Sequence, residues 1–327
     1  MDLTADSQAM LLLCSHLSLS DETGPKPLTL REWNSLARRL FESSLGTPGA
    51  LLGLSMDDLG TELALSDDEA GRLLRLLSRG GGLAVELERL ESLGMWIVTR
   101  VDEHYPRRLK QRLKPVAPAV LFGAGDRALL GQQGLAVVGS RNVDDHGKTC
   151  ADFIGNACAR EGLVLYSGGA RGVDAISTQA ALEARGTAVA VLAHSLEKAI
   201  RAPDARSKLE SGDLALVTPY SPKAGFSVGA AMGRNKLIYA LADYALVVAS
   251  DAGKGGTWAG ATEAIKAKWL PLFVLDSPNA PEGNHQLLQK GAISFPVSLL
   301  TPSLALREWL QIQAGGFAPS PVQARLL

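Results

Sequence analysis

The sequence predicts an α/β fold, a doubly wound and mostly parallel Rossmann-like sheet preceded by a small helical domain. Three observations carry that expectation. Between Gly134 and Gly172 an apolar run (Leu135–Val138), a glycine turn, a helical pattern, a second apolar run (Leu163–Leu165) and a second glycine turn follow in order, the grammar of a βαβ unit. Downstream, strands and helices keep alternating, and Thr187–Leu192 is apolar throughout, as strands covered on both faces are. Upstream of Met95 the texture is helical, punctuated by glycine and proline.

Taken in order, helices are expected over Asp6–Leu19, over Leu30–Ser44 with Trp33, Leu36, Ala37, Leu40 and Phe41 on one face, over Asp67–Leu77, and over Leu83–Leu93. Ser66-Asp67-Asp68-Glu69 reads as an N-terminal capping sequence. Leu45-Gly46-Thr47-Pro48-Gly49 and Gly80-Gly81-Gly82 read as breakers. Residues 1–94 therefore form a helical domain, SAM-like or helix-hairpin-helix-like. Its glycine turns are open either to plain connection or to nucleic-acid contact.

Trp96-Ile97-Val98-Thr99 begins the sheet domain, expected over 95–300. From Tyr105 to Lys114 basic residues crowd together, while Leu109 and Leu113 anchor one face of a short helix. A solvated face and a phosphate contact are both open for that stretch. Strand Val120–Gly123 follows, then the βαβ unit, whose helix carries Phe153, Ile154, Ala157 and Cys158. Next come helix Val173–Ala184, strands Thr187–Leu192 and Leu214–Thr218, helix Asn235–Leu241, strand Ala245–Ala249, helix Thr257–Ala267 and strand Pro271–Leu275. Residues 301–327 read as a C-terminal tail, loose from Ala314, where glycine, proline and alanine dominate.

A chain of 327 residues with 46% hydrophobic and 20% charged content is neither disordered nor membrane-embedded. The amino terminus lacks a basic leader, and its apolar run is too short to span a bilayer, so a cytoplasmic address and no membrane partner are expected. The three cysteines, Cys14, Cys150 and Cys158, show no disulfide or metal spacing. A net charge of −1 weighs mildly against a protein living on bulk duplex binding and not at all against a focused phosphate pocket, so a nucleic-acid contact is expected as a local patch.

Four glycine-bearing corners supply such a patch: Gly139-Ser140-Arg141, Gly168-Gly169-Ala170-Arg171-Gly172, Met232-Gly233-Arg234-Asn235-Lys236 and Gly253-Lys254-Gly255-Gly256-Thr257. Glycine lets an anion approach backbone N–H groups, arginine grips phosphate with paired N–H donors, and lysine acts as a point charge. The candidate phosphate-binding residues are Gly139, Ser140, Arg141, Gly168, Gly169, Arg171, Arg234, Asn235, Lys236, Lys254, Gly256 and Thr257, with Arg141, Arg171 and Arg234 converging on one guest. Trp258 beside the fourth corner is the candidate for stacking a base, with a core tryptophan as the alternative. His146 and His194 lie near expected strand ends, where a surface position is favoured over one facing the crevice, and Asp174 reads as a helix cap. No dinucleotide fingerprint, Walker lysine, serine elbow, histidine–cysteine pair or carboxylate cluster is present, so no cofactor, metal or catalytic residue is expected.

The blocks YPRRLKQRLKPVAPAVLFGAGD, LAVVGSRNVDDHG, LVLYSGGARGVDAISTQAALEARGTAVAVLAHSLEKA and GRNKLIYALADYALVVAS resemble the DprA/Smf family over about Leu93 to Leu275. The resemblance implies an extended Rossmann-like domain that binds single-stranded DNA in a basic pocket, protects incoming strands and helps load a RecA-type recombinase, as a homodimer. It carries the DNA-contacting signature onto Gly139, Ser140, Arg141, Gly168, Arg171, Arg234, Asn235 and Lys236. The chain departs from the family at Asp174-Ala175-Ile176-Ser177-Thr178, where a histidine is usual, at Ala231-Met232-Gly233, where an aromatic-proline step is usual, and at Gly255-Gly256-Thr257-Trp258. No winged-helix pattern follows Leu300. Divergent relatives of this kind resemble components of anti-phage loci, in which a DNA-sensing antitoxin restrains a phosphoribosyltransferase-type toxin. A second resemblance, Met232-Gly233-Arg234-Asn235-Lys236 with Gly255-Gly256-Thr257 and Glu263, is to the cytokinin-activating nucleotide phosphoribohydrolases; it implies Arg234 on a nucleotide phosphate and Glu263 assisting cleavage at the ribose.

Overall fold

A computed structural model of the protein describes residues 3–19 and 24–318. The front end holds α1 (Ala5–Cys14), α2 (Leu30–Glu42), α3 (Met56–Leu63), α4 (Asp67–Leu77) and α5 (Gly80–Ser92). Then follow β1 (Met95–Thr99), α6 (Arg107–Leu113), β2 (Val120–Gly125), β3 (Gly134–Gly139), α7 (Asp145–Arg160), β4 (Val164–Ser167), α8 (Val173–Glu183) and β5 (Ala188–Val191). The second half runs α9 (Leu196–Ala199), α10 (Pro203–Glu210), β6 (Leu214–Thr218), α11 (Val228–Leu241), β7 (Tyr244–Ala249), α12 (Gly255–Ala267), β8 (Leu272–Asp276), α13 (Glu282–Gln289), β9 (Ile293–Pro296) and α14 (Leu306–Gln313).

Among the described residues nine strands form one sheet in the order β1-β2-β6-β5-β4-β3-β7-β8-β9. The β1–β2 and β2–β6 pairs are antiparallel and every other pair is parallel. From β3 the chain winds outward through β4, β5 and β6, then crosses back to place β7 on the other side of β3. The winding thus reverses between β3 and β7, and the crevice outside the carboxyl ends of those strands is where open α/β sheets take ligands. Asn284, fully buried on α13, holds the rim nearby: its Oδ1 accepts from Ser250 N–H at 2.9 Å and its Nδ2 donates to the carbonyls of Val248 and Leu275.

Alternating side chains send the sheet into two apolar layers. Leu135, Val137 and Leu165 face α7, α8 and α14; Ala136, Val138 and Val189 face α6, α11, α12 and α13. The first layer continues into the front end, where Leu11, Leu12, Leu83 and Leu90 join Met95, Ile97, Val120 and Phe122 in one cluster. A further cluster around Trp33, Leu40, Leu59 and Leu76 holds α1 to α4 together. Salt bridges reinforce the junction, Arg89 on α5 pairing with Glu86 and with Glu197 on α9, and Lys223 reaching Glu86 at 3.5 Å.

Local chemistry explains the helix starts. Thr29–Glu32, Ser55–Asp58 and Ser66–Glu69 are complete capping boxes, the last at the position the sequence predicts. Four expectations need correction. The first helix stops at Cys14, where Ser15 turns extended and its hydroxyl donates back to Leu11 O at 2.7 Å. Gly80-Gly81-Gly82 opens α5 instead of breaking the chain, because Leu83 and Leu90 behind it are buried. The helical pattern expected from Asn235 begins at Val228, after the Ser227 cap. The segment from 301 carries α14, whose Leu306 and Leu310 are buried against the sheet; residues 319–327 of the expected tail lie outside the described residues.

Two cations of the α6 stretch have their partners inside the fold, while Arg107 and Lys110 are exposed. Arg108 pairs with Asp243 and donates to Gln132 O, and Asp243 in turn accepts from Gly134 N–H at 2.9 Å. Arg112 donates to the carbonyls of Tyr239, Ala240 and Ala242, closing the C-terminus of α11; burial holds it down to about 10. These cations hold the fold together rather than facing a ligand. Burial pushes all three thiols up, Cys150 and Cys158 to about 12. Among the described residues no helix is long and apolar enough to cross a membrane.

Candidate functional site

At the reversal point β3 ends in Gly139, and Ser140 N–H donates to Ala249 O at 2.9 Å, tying its rim to that of β7. In front of this tie opens a cavity of about 610 Å³, bounded by the turn Gly139–Asn142, the loop and first half of α11, and the turn from Ser250 to Thr257.

Arg234 forms its floor. The residue is 5% exposed, yet its Nε and Nη1 have no hydrogen-bond partner within the protein. Gly168 permits the placement: a methyl group there would lie 2.6 Å from Arg234 Nη2 and closer still to Nη1. The nearby carboxylate is Asp174, which does not cap α8. The cap position belongs to Gly172, and Asp174 turns inward to accept N–H bonds from Gly168 (2.9 Å), Ala170 and Gly139. Burial pushes its carboxyl up to about 6, with Arg234 and the three N–H groups pulling the other way. Burial likewise holds Arg234 below its usual value, opposed by Asp174 and reinforced by repulsion from Arg141. A buried, unmatched donor costs roughly 1–3 kcal/mol, more when charged, so the floor holds a cation whose hydrogen-bonding capacity is not met among the described residues. Tyr239, on the same wall, adds a buried hydroxyl without a partner.

The opposite wall is the start of α12. Lys254 stands at its N-cap position with no side-chain cap, Gly255 turns with φ +84°, and Lys254 to Thr257 line the cavity. The walls are clamped by side chains that appeared as ligand candidates. Asn235 Nδ2 donates to Gly256 O at 3.0 Å, Thr257 Oγ1 donates to Gly139 O at 3.1 Å, and Ser140 Oγ donates to Asn142 O at 3.1 Å. They position the cavity more than they face its contents.

At the mouth Phe226 is 55% exposed, and the Arg141 guanidinium lies 5.6 Å from its ring centroid. Val228 and Met232 beside it are also exposed. Phe226 was not among the sequence candidates; the available signal was an aromatic residue alone in a polar loop just before the Ser227 cap.

Of the predicted residues, the structure brings Gly139, Ser140, Arg141, Arg234, Asn235, Lys254, Gly256 and Thr257 to one cavity. Gly168 and Gly169 lie behind it, the first against Arg234 and the second turning with φ +60°. Arg171 is exposed and Lys236 half-buried, and neither lines the wall. The expected convergence of three arginines is therefore one of Arg141 and Arg234. Trp258 is half-buried against the core with Lys290 Nζ 5.7 Å from its ring centroid, and so is off the wall. Glu263 is exposed further along α12, away from the floor. The histidines are not plain surface residues: His146 Nε2 is buried without a partner, and burial together with Arg234 holds His194 below its usual value.

Comparison with known proteins agrees with this architecture. The DNA processing protein DprA of Mycobacterium tuberculosis is 31% identical over 229 residues, 64% of this chain and 57% of its own length. Protein Smf of Escherichia coli is 31% identical over 213 residues, 62% of this chain and 55% of its own. The chain thus spans little more than half the length of these relatives. DNA processing protein A of Streptococcus pneumoniae superposes with a TM-score of 0.57 at 21% identity, covering 82% of this chain and 95% of that one. The Helicobacter pylori protein, whose structure concerns its single-stranded DNA binding mode, gives 0.52 at 23% identity, covering 68% and 97%. At these identities the two structures establish the fold. Residues 96–298 match the family described as DNA recombination-mediator protein A, and the chain belongs to that family.

Proposed function

We propose that the protein binds single-stranded DNA at the β3–β7 crevice and serves DNA processing and recombination. The observation that carries this reading is Arg234: an arginine 5% exposed, its buried Nε and Nη1 without a partner among the described residues, lining an open cavity that it shares with Arg141. Phosphate supplies affinity there without sequence readout, and the Phe226 ring supplies a face on which any base can stack. The reading is that of a binding protein; the carboxylate a nucleotide hydrolase would use, Glu263, lies off the cavity.

In that role a homodimer would protect the strand and present it to a RecA-type recombinase. The family departures at Thr178, where the histidine is usual, and at Met232 and Gly256 support a second use of the same site, a DNA-sensing antitoxin that restrains a toxin. Co-expression tests it: a neighbouring gene toxic alone and harmless beside this one supports the antitoxin role, and a harmless neighbour removes it.

Binding itself is tested by fluorescence anisotropy with oligo-dT over a salt series. Arg141→Ala is expected to weaken binding and reduce the salt slope by about one. A parent protein with no affinity for oligo-dT, or an Arg141→Ala variant with an unchanged slope, overturns the proposal.

A further inference from the structure

Resting on that binding reading, we infer that the cavity floor takes a phosphomonoester, the terminal phosphate of a DNA strand or of a free nucleotide, in preference to a phosphodiester within a strand. Depth is the first reason. A phosphate that reaches Arg234 passes from water to a guanidinium that is 95% covered, beneath the mouth formed by Phe226 and Arg141. A diester carries chain on both sides, and both arms must leave again through that mouth. A monoester brings a single arm.

Donor supply is the second reason. A diester offers two non-bridging oxygens and one negative charge, whereas a monoester offers three oxygens and about −1.5 to −2 at neutral pH. The cavity meets the larger demand. Arg141, Lys254, Arg234 and the start of the 13-residue α12 line it, and behind that lining the Arg234 Nε and Nη1 and the Tyr239 hydroxyl, closed to solvent, have no partner among the described residues. Against these cations the walls set Asp174, whose oxygens already accept three backbone N–H bonds, and the exposed Asp251. The cavity volume of about 610 Å³ lies in the range that encloses a small organic ligand, so a whole nucleotide fits with its base toward Phe226.

The test is fluorescence anisotropy on the full chain, with oligo-dT carrying a phosphate or a hydroxyl at its 5′ end, a second pair differing at the 3′ end, and unlabelled dTMP and thymidine as competitors. A phosphorylated end is expected to bind about tenfold tighter, the effect of one added charge-assisted hydrogen bond, with dTMP displacing the strand and thymidine not. The end that responds identifies the strand terminus; competition by dTMP without an end preference identifies the free nucleotide. Arg234→Lys, which keeps the charge but loses the paired N–H geometry, is expected to erase the discrimination while melting like the parent, and Lys254→Ala is expected to reduce it. Equal affinity for phosphorylated and hydroxyl ends with no dTMP competition overturns the inference and leaves strand binding standing. Failure of every oligonucleotide and of dTMP to bind overturns the binding reading as well.

Discussion

Gly168→Ala removes no charge and touches no ligand, yet it is expected to disable the floor of the cavity. The methyl group would stand 2.6 Å from Arg234 Nη2 and nearer to Nη1 and Cζ. Ordinary contact needs about 3.5 Å, so the nearest guanidinium nitrogen, Nη1, must retreat by roughly 2 Å. The backbone at Gly168 lies outside the left-handed region, so alanine adds no strain of its own. The cost therefore falls on the arginine. Overpacking of this kind destabilises by about 1–3 kcal/mol. Loss of one charge-assisted hydrogen bond to phosphate weakens binding by about 1.5–3 kcal/mol, roughly 10- to 150-fold in Kd. Arg234→Ala makes the useful contrast, because it removes the cation that offsets the buried Asp174 and is expected to lower stability together with affinity. Anisotropy against oligo-dT, paired with thermal melts, separates the two effects. A folded Gly168→Ala protein that binds like the parent would show that Arg234 is not the group holding phosphate.

The same geometry gives four further expectations. The Asp174 carboxyl titrates near 6 in the fold against an ordinary 3.8, so the native state holds a proton the unfolded chain has lost; stability should fall as pH rises through that window, by up to about 3 kcal/mol, and Asp174→Asn should flatten the curve. Since His194 also titrates near Arg234, His194→Gln is the control, and a pH profile unchanged by Asp174→Asn but abolished by His194→Gln would reassign the effect. Phe226→Ala should weaken oligo-dT binding by about 1–3 kcal/mol with an unaltered melting temperature; equal affinity would remove it as a stacking face. Arg112→Ala strips the donor from the last carbonyls of α11 and should lower the melting temperature without changing the salt slope, whereas a reduced slope would return α6 to the ligand. Gly172→Ala places a methyl 2.7 Å from Arg141 O at a φ of +82° and should destabilise the β4–α8 turn measurably by urea denaturation.

Strand positions were legible because apolar runs such as Thr187–Leu192 have one structural use. The family blocks also put Arg141 and Arg234 among the candidates, and both line the cavity, Arg141 from a turn and Arg234 from within α11. What stayed hidden depends on direction and depth. Arg171 and Arg234 look alike in a glycine-rich word, but the sheet turns one outward while a helix buries the other beneath Gly168. Asp174 follows Gly172 as a helix cap would, yet three backbone N–H groups and a buried cation draw it inward. Met232 to Lys236 reads as a loop by its glycine, although Ser227 caps a helix that runs through it. The cations of α6 were undecidable, since their partners, Asp243 and the end of α11, come more than a hundred residues later.

The apolar layer that runs unbroken from Leu11 and Leu90 into Ile97 and Phe122 leaves no greased hinge between the front helices and the sheet. Anything that grips those helices is held at a constant bearing to the crevice. Were copies to line up along a strand, that rigidity would impose the pitch of the protein array on the nucleotides beneath it, much as a comb sets the spacing of threads.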